Sequence, residues 1–354
     1  MTTHPNPPAT VHLGDPGALL AALPALLGFH PEHSLVLLCL EGERAGSVGL
    51  VARVDLPARS DRAGAAAVVE QLSVLCARRA VPAAVAVVVD DAEPPDPRRH
   101  LVRSLRTACE AVGTDLVAAH HVPRTAAGVA WSSYGSSRTG LLPDPRSSPV
   151  ATEHVLRGRV IRGSRAEVDE LLAPDGPERT GRVGLALDEE LARVQQRRAS
   201  GPAHCSHELL ERVVAAVARA GEDSAEPLGA PEIAALGAAL SDLPVRDACI
   251  ALAGGEHADA AERLWTELVR ALPAPELAEP AVLLAHSAYA RGEGPVAGVA
   301  LQVALDADPA HRMAGLLSAS LGAGLPPGSV RALSITAHGI AAELGVTLPP
   351  VDWQ

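Results

Sequence analysis

Two imidazoles and a carboxylate interrupted by a proline, His30-Pro31-Glu32-His33, stand between Gly28-Phe29 and the apolar run Leu35–Leu40. His and Glu are ordinary zinc ligands, so the quartet has the donor types a metal needs. Its spacing is not that of the metalloprotease motif, which wants two histidines four apart on a helix, and Pro31 breaks any such helix. The competing reading is a helix-to-strand turn: Gly28 and Pro31 supply the turn chemistry, Phe29 folds back to staple it, and the histidines stand partly exposed. Farther along, Asp55 ends the run Val48–Val54, and Asp90-Asp91 close the run Val85–Val89 with Glu93 and Asp96 just beyond. In open α/β sheets the carboxyl ends of parallel strands line the ligand crevice, where carboxylates can hold magnesium or act as acid and base. The same aspartates also suit the cap of a following helix. Trp131-Ser132-Ser133-Tyr134 sets two aromatics at the end of another strand-like run, either covering the core edge or offering a ligand a stacking platform.

The candidate ligand pocket is therefore His30, Glu32, Asp55, Asp90, Trp131 and Tyr134, with His30 preferred to His33 because it lies beside the Phe29 anchor at the apex of the turn. No catalytic residue, metal ion or cofactor is assigned. His204-Cys205-Ser206-His207 has ligand-type residues but no partner cluster, and His120-His121 point to opposite faces of a strand, so at most one can serve a site.

Composition narrows the chemistry. All 30 basic residues among the 354 are arginine, and Asn6 is the single asparagine. Without lysine there is no Schiff-base or pyridoxal-phosphate anchor and no phosphate-binding GxxxxGK[ST] loop. The formal charge of −12, with no arginine run longer than Arg78-Arg79 or Arg197-Arg198, argues against broad nucleic-acid binding. Cys39, Cys76, Cys109, Cys205 and Cys249 are isolated in sequence and odd in number, which predicts buried free thiols in a reducing compartment. The Pro-rich stretch from Met1 to Thr10 lacks a basic flank and an apolar signal core, and no apolar run reaches spanning length, so a cytoplasmic protein without membrane contact is expected.

The elements that must position these residues can be read from capping and periodicity. Asp15-Pro16 opens a helix over about 16–27 that Gly28 ends. The runs 35–40 and 48–54 around a polar, Gly-containing connection form a hairpin. A helix over 61–79, a strand over 84–89, a helix over 97–112, a strand over 116–122 and a last strand over 129–134 follow. This alternation predicts an α/β domain with a mixed sheet containing an antiparallel hairpin, over residues 1–149 and ending where Ser, Pro, Gly and Arg dominate after Gly135. Beyond it the chain is Ala/Leu-rich with helical spacing, broken near Pro174–Pro177, Ser200–Pro202, Gly221–Pro227, Pro273–Pro275 and Pro326-Pro327. A helical connector over 150–225 and an all-α, tetratricopeptide-like domain over 226–346 are expected. Ala261, Trp265, Leu268 and Pro273 recur 36 residues later as Ala297, Leu301, Ala304 and Pro309, as in stacked helix hairpins, although a generic helical bundle fits such alanine-rich spacing too.

Taken together, Leu26-Leu27-Gly28-Phe29-His30-Pro31-Glu32-His33-Ser34-Leu35-Val36, Ala52-Arg53-Val54-Asp55-Leu56-Pro57, Trp131-Ser132-Ser133-Tyr134, Leu264-Trp265-Thr266-Glu267-Leu268 and Ala288-Tyr289-Ala290-Arg291-Gly292-Glu293-Gly294 resemble actinobacterial proteins of the domain of unknown function 4192. The resemblance spans nearly the whole chain and implies a bacterial cytoplasmic protein, but no activity. Many such proteins continue the Trp-x-Ser-Tyr element into a cysteine-containing segment. Here Gly135-Ser136-Ser137-Arg138-Thr139-Gly140 follows, so any function resting on those cysteines is not shared. The helical repeat and the lack of a complete catalytic constellation favour a non-catalytic binding or adaptor protein that takes a protein partner through its helical domain. The alternative is a metal-dependent hydrolase or nucleotide-processing enzyme using His30, Glu32, Asp55 and Asp90. The oligomeric state is not legible.

Overall fold

The β-branched and leucine-rich runs that flank the first carboxylates become the centre of a sheet. In the computed structural model, which describes residues 15–41, 47–91, 98–156, 160–222 and 227–353, α1 (Pro16–Leu27) starts from Asp15, whose side chain accepts from the Ala18 amide, and ends at Gly28 in the left-handed region. Gly28 has φ +75°, a conformation a side chain would strain. β1 (Ser34–Glu41) and β2 (Ser47–Asp55) pair antiparallel. α2 (Arg62–Arg79) is capped by Asp61 and leads to β3 (Ala83–Val89), antiparallel to β1. α3 (Arg99–Ala111) then crosses to β4 (Asp115–Val122), parallel to β3. The sequence-derived hairpin turn, Glu93, Asp96 and the Pro-rich start lie outside the described residues.

β5 (Ala130–Ser133) and β6 (Thr139–Leu141) complete the order β2-β1-β3-β4-β5-β6. β6 falls in the Ser-, Pro-, Gly- and Arg-rich stretch after Gly135, where no strand was expected. It pairs with β5 because Gly140 leaves room for Trp131: a Cβ there would stand 2.9 Å from the indole. A 3-10 turn at Pro145–Ser147 and α4 (Pro149–Leu156) follow, and both pack on α1.

Strand alternation divides the sheet into two buried faces. Leu35, Leu37, Cys39, Ala84, Ala86 and Val88 form one core with Leu72 and Cys76 of α2 and Leu105 and Cys109 of α3. The opposite face carries Val36, Leu38, Val85, Val87, His120 and Trp131, all buried, with Gly17 at the start of α1 beside the Trp131 indole. A strand buried on both sides reads as a continuous apolar run, as 35–40 and 84–89 do.

The rest of the described chain is helical: α5 (Arg165–Leu171), α6 (Pro177–Ser200), α7 (Pro202–Ala220), α8 (Ala230–Leu240), α9 (Leu243–Cys249), a 3-10 turn at Ile250–Ala253, α10 (Ala258–Ala271), α11 (Ala278–Arg291), α12 (Gly294–Ala307), α13 (Arg312–Gly322) and α14 (Pro327–Glu343). The proline and glycine breakers at 174–177, 200–202, 273–275 and 326–327 fall on helix boundaries. Two compact units result, Met1–Glu167 with Gly322–Gly324, and Val168–Leu321 with Leu325–Gln354. In the second unit Ala261 and Ala297 are each the fourth residue of a fourteen-residue helix, α10 and α12, and α11 packs against both. Gly292, with φ +87°, caps α11. No helix among the described residues is long and apolar enough to cross a membrane.

Candidate functional site

The register places the N-terminus of β1 and the C-termini of β2, β3 and β4 at one end of the sheet: Ser34 pairs with Asp55 and with Val89, and Val89 with Val122. Asp90 is the first residue beyond β3, and its side chain is only 3% exposed. Burying a carboxylate this deeply demands partners. Arg98, immediately before α3 and itself 10% exposed at the side chain, donates through Nε to Asp90 Oδ2 at 2.8 Å. The remaining oxygen faces outward, with His33 Nδ1 at 3.5 Å and an Arg59 guanidinium nitrogen at 3.9 Å, side chains 66% and 53% exposed.

The loops that carry these groups are tied to one another. Arg98 also donates to the Pro57 carbonyl at 2.8 Å, linking the connection before α3 to the one before α2. The Leu56 amide donates to the His33 carbonyl, and His121 Nε2 to the Asp90 carbonyl, both at 2.8 Å. Burial raises the pKa of the Asp90 carboxyl, but the Arg98 hydrogen bond and the charges of Arg98, Arg59 and His33 outweigh it, and the net direction is down. Asp90 is thus an ionised anchor. His33 carries a backbone φ of +40°, unusual for a residue other than glycine and of the kind that collects at functional positions.

The residues singled out from sequence engage different partners. Asp55 is 80% exposed and pairs with Arg53 at 2.6 Å. Arg53 also donates to Ser34 Oγ and lies over the buried Phe29 ring, on the face of the sheet that Val36 shares. His30 turns to Thr125, its Nδ1 2.9 Å from both the carbonyl and the hydroxyl oxygen, and its amide donates to the Arg162 carbonyl. Glu32 is exposed. Trp131 packs edge-on against His120, which bonds Ser133 Oγ, whereas Tyr134 packs into the core of the other face. His33, not His30, is the imidazole beside Asp90. Burial and the nearby Arg138 charge hold the His120 pKa down to about 4, so at neutral pH this imidazole is an uncharged packing group.

Arg59 and Arg98 are the contributors that sequence reasoning missed, and His33 was named there but ranked below His30. Asp91 was legible only as the neighbour of Asp90; nothing local marks Arg59 or Arg98. One ligand atom each from His33, Asp90 and Asp91 lie within 4.8 Å of one another, a set able to offer a cation two carboxylates and an imidazole. The two guanidiniums on Asp90 already neutralise that carboxylate and repel a second cation. His204 and His207, on α7, pair with Glu208 and Glu211, and His207 Nδ1 also bonds the Leu344 carbonyl, so they do not join into one ligand set.

The family described as "Domain of unknown function (DUF4192)" matches residues 16–328. No curated protein and no solved structure matches.

Proposed function

The chain belongs to the DUF4192 family, and from that premise we propose that it is a non-catalytic binding protein that holds a small anionic ligand at the strand ends of its first unit. The observation that carries this reading is the locked state of the polar groups there. Asp90 is committed to Arg98, His121 to the Asp90 carbonyl and His30 to Thr125, an arrangement suited to holding four loops in register rather than to moving protons. What this frame presents outward is Arg59 and the His33 imidazole, with Arg99 exposed in the first turn of α3. Guanidinium and imidazole donors near a helix N-terminus favour a carboxylate or a phosphate. The helical unit serves as the protein-docking half of the same role. Supporting that part is the equivalent placement of Ala261, Leu268 and Ala297, Ala304 in α10 and α12.

A second reading, metal-dependent hydrolysis, is favoured by the proximity of His33, Asp90 and Asp91. Isothermal titration separates the two. Inorganic phosphate and a small dicarboxylate should bind the intact protein and lose affinity by about tenfold or more in Arg59→Ala, as expected when one charge-assisted contact is removed. Saturable binding of manganese or zinc that is abolished by Asp91→Asn, with no anion binding, would replace the first reading by the second.

A further inference from the structure

α14 gives way to Gly345, whose φ of +78° and amide bond to the Ala342 carbonyl turn the chain out of the helix. His207 of α7 holds this exit, donating from Nδ1 to the Leu344 carbonyl at 2.8 Å. The residues that follow, Val346-Thr347-Leu348-Pro349-Pro350-Val351-Asp352-Trp353, form neither helix nor strand. Val346 and Leu348 are buried, Val351 and Trp353 half-buried, and Thr347, Pro350 and Asp352 exposed. This is the pattern of an extended peptide laid along a groove, with apolar side chains entering it on either side of the proline pair.

The segment lies against α14 itself and against Gly254-Gly255, which follow the 3-10 turn at Ile250–Ala253. The Gly255 amide donates to the Asp352 carbonyl at 2.9 Å, and His338 of α14 donates from Nε2 to the Leu348 carbonyl at 3.0 Å. Arg331 of α14 lies over the Trp353 ring, its guanidinium carbon 5.2 Å from the centroid. The two glycines differ in what they provide. Gly255 has a φ of +83°, which its backbone alone makes costly for another residue. Gly254 sits at φ −130° and ψ 162°, open to any side chain. A Cβ there would stand 2.9 Å from Val351 Cγ1 and 3.2 Å from Trp353 Cε2, so Gly254 makes room for this segment and for nothing in its own conformation.

We propose that residues 346–353 are a resident ligand in a peptide-binding groove of the helical unit, and that a protein partner enters by displacing them. The partner segment has the same chemistry: extended, with prolines at its centre, aliphatic residues beside them and an aromatic residue for Arg331. This rests on the docking role proposed above for the helical unit and gives that role a place and a ligand class. Main-chain bonds together with side-chain pockets are how a fold recognises an extended peptide, and the prolines fix φ in advance, so less freedom is lost on docking. Two features make the resident segment exchangeable. Its far end is half-buried at Val351 and Trp353, so it can peel away without opening a helix. The Trp353 Nε1 is buried with no hydrogen-bond partner among the described residues, an unmet donor that weakens its hold. A partner with phenylalanine at that place buries no such donor.

The test follows fluorescence anisotropy of a labelled peptide with the sequence of residues 346–353. A chain ended after Pro349 keeps the buried Val346 and Leu348 but vacates the rest of the groove. It should bind the peptide at least about tenfold more tightly than the full chain, in which the tethered segment competes at an effective concentration of roughly millimolar. Adding Gly254→Val to the ended chain should abolish the gain. Trp353→Ala in the full chain leaves the backbone in place, should give a smaller gain of the same sign, and decides the matter if the ended chain fails to fold. Equal binding to the full chain and to both variants, or binding that survives Gly254→Val, would overturn the proposal. A concentration-dependent dimer of the full chain that is lost in the ended one would also overturn it, by assigning the groove to a second copy. None of these outcomes alters phosphate binding at Arg59, which is judged separately.

Discussion

Removing Arg98 is expected to damage the first unit far more than removing Arg59, although both guanidiniums reach Asp90. Arg98 is 10% exposed at the side chain and bonds Asp90 at 2.8 Å, whereas Arg59 is 53% exposed at 3.9 Å. Two unit charges about 4 Å apart interact by roughly 4 kcal/mol at an effective dielectric of about 20. Stripping the partner from a buried charge costs about 3–5 kcal/mol, so Arg98→Met should destabilise by that amount, with the lost bond to the Pro57 carbonyl included. Arg59→Ala should cost no more than about 1 kcal/mol, the ordinary value of a solvent-exposed pair. Because Asp90→Asn removes the charge that Arg98 answers, the double substitution with Arg98→Met should cost less than the sum of the two singles. Urea-dependent hydrogen exchange of the β3 and β4 peptides reports on this unit specifically. An Arg98→Met cost below about 1 kcal/mol, or equal costs for the two arginines, would refute the reasoning that burial decides their worth.

Other outcomes follow from the same geometry. Phe29 is fully buried at the turn before β1, so Phe29→Ala should cost about 3–5 kcal/mol in the same exchange experiment. Burial lowers the pKa of His286 to about 4 in the second unit, as burial and Arg138 do for His120 in the first. Between the unfolded value of about 6.5 and about 4 the unfolded chain binds more protons, so both units should lose stability as pH falls through that window, by up to about 3 kcal/mol per group. Denaturation midpoints measured across the range check the sign. A bulky thiol reagent should leave all five cysteines unmodified in the native protein within minutes and titrate five after denaturation.

Much of the fold was written locally. Asp15-Pro16, Gly28, Asp61 and the prolines at 177, 202 and 327 mark helix ends by capping and backbone restriction, and doubly buried strands announce themselves as unbroken apolar runs. β6 did not, because three residues around a glycine carry no periodicity, and the need for Gly140 comes from Trp131 across the sheet. The opposite faces of Trp131 and Tyr134 were legible in principle, since residues three apart on a strand alternate. The pairing of Asp90 with His33 rather than His30 was not, because it depends on one positive φ. Nor could spacing reveal that Cys39, Cys76 and Cys109 share one core, which arises from how α2 and α3 pack on the sheet.

The central claim, that the strand ends around Asp90 bind an anion, is tested most directly by following the imidazole resonances while inorganic phosphate is added. The account predicts saturable shifts at His33, absent in Arg59→Ala, with His120, in the core of the other face, unmoved. Shifts at His33 that appear with manganese or zinc and not with phosphate, or equal small drifts of every histidine, would contradict it.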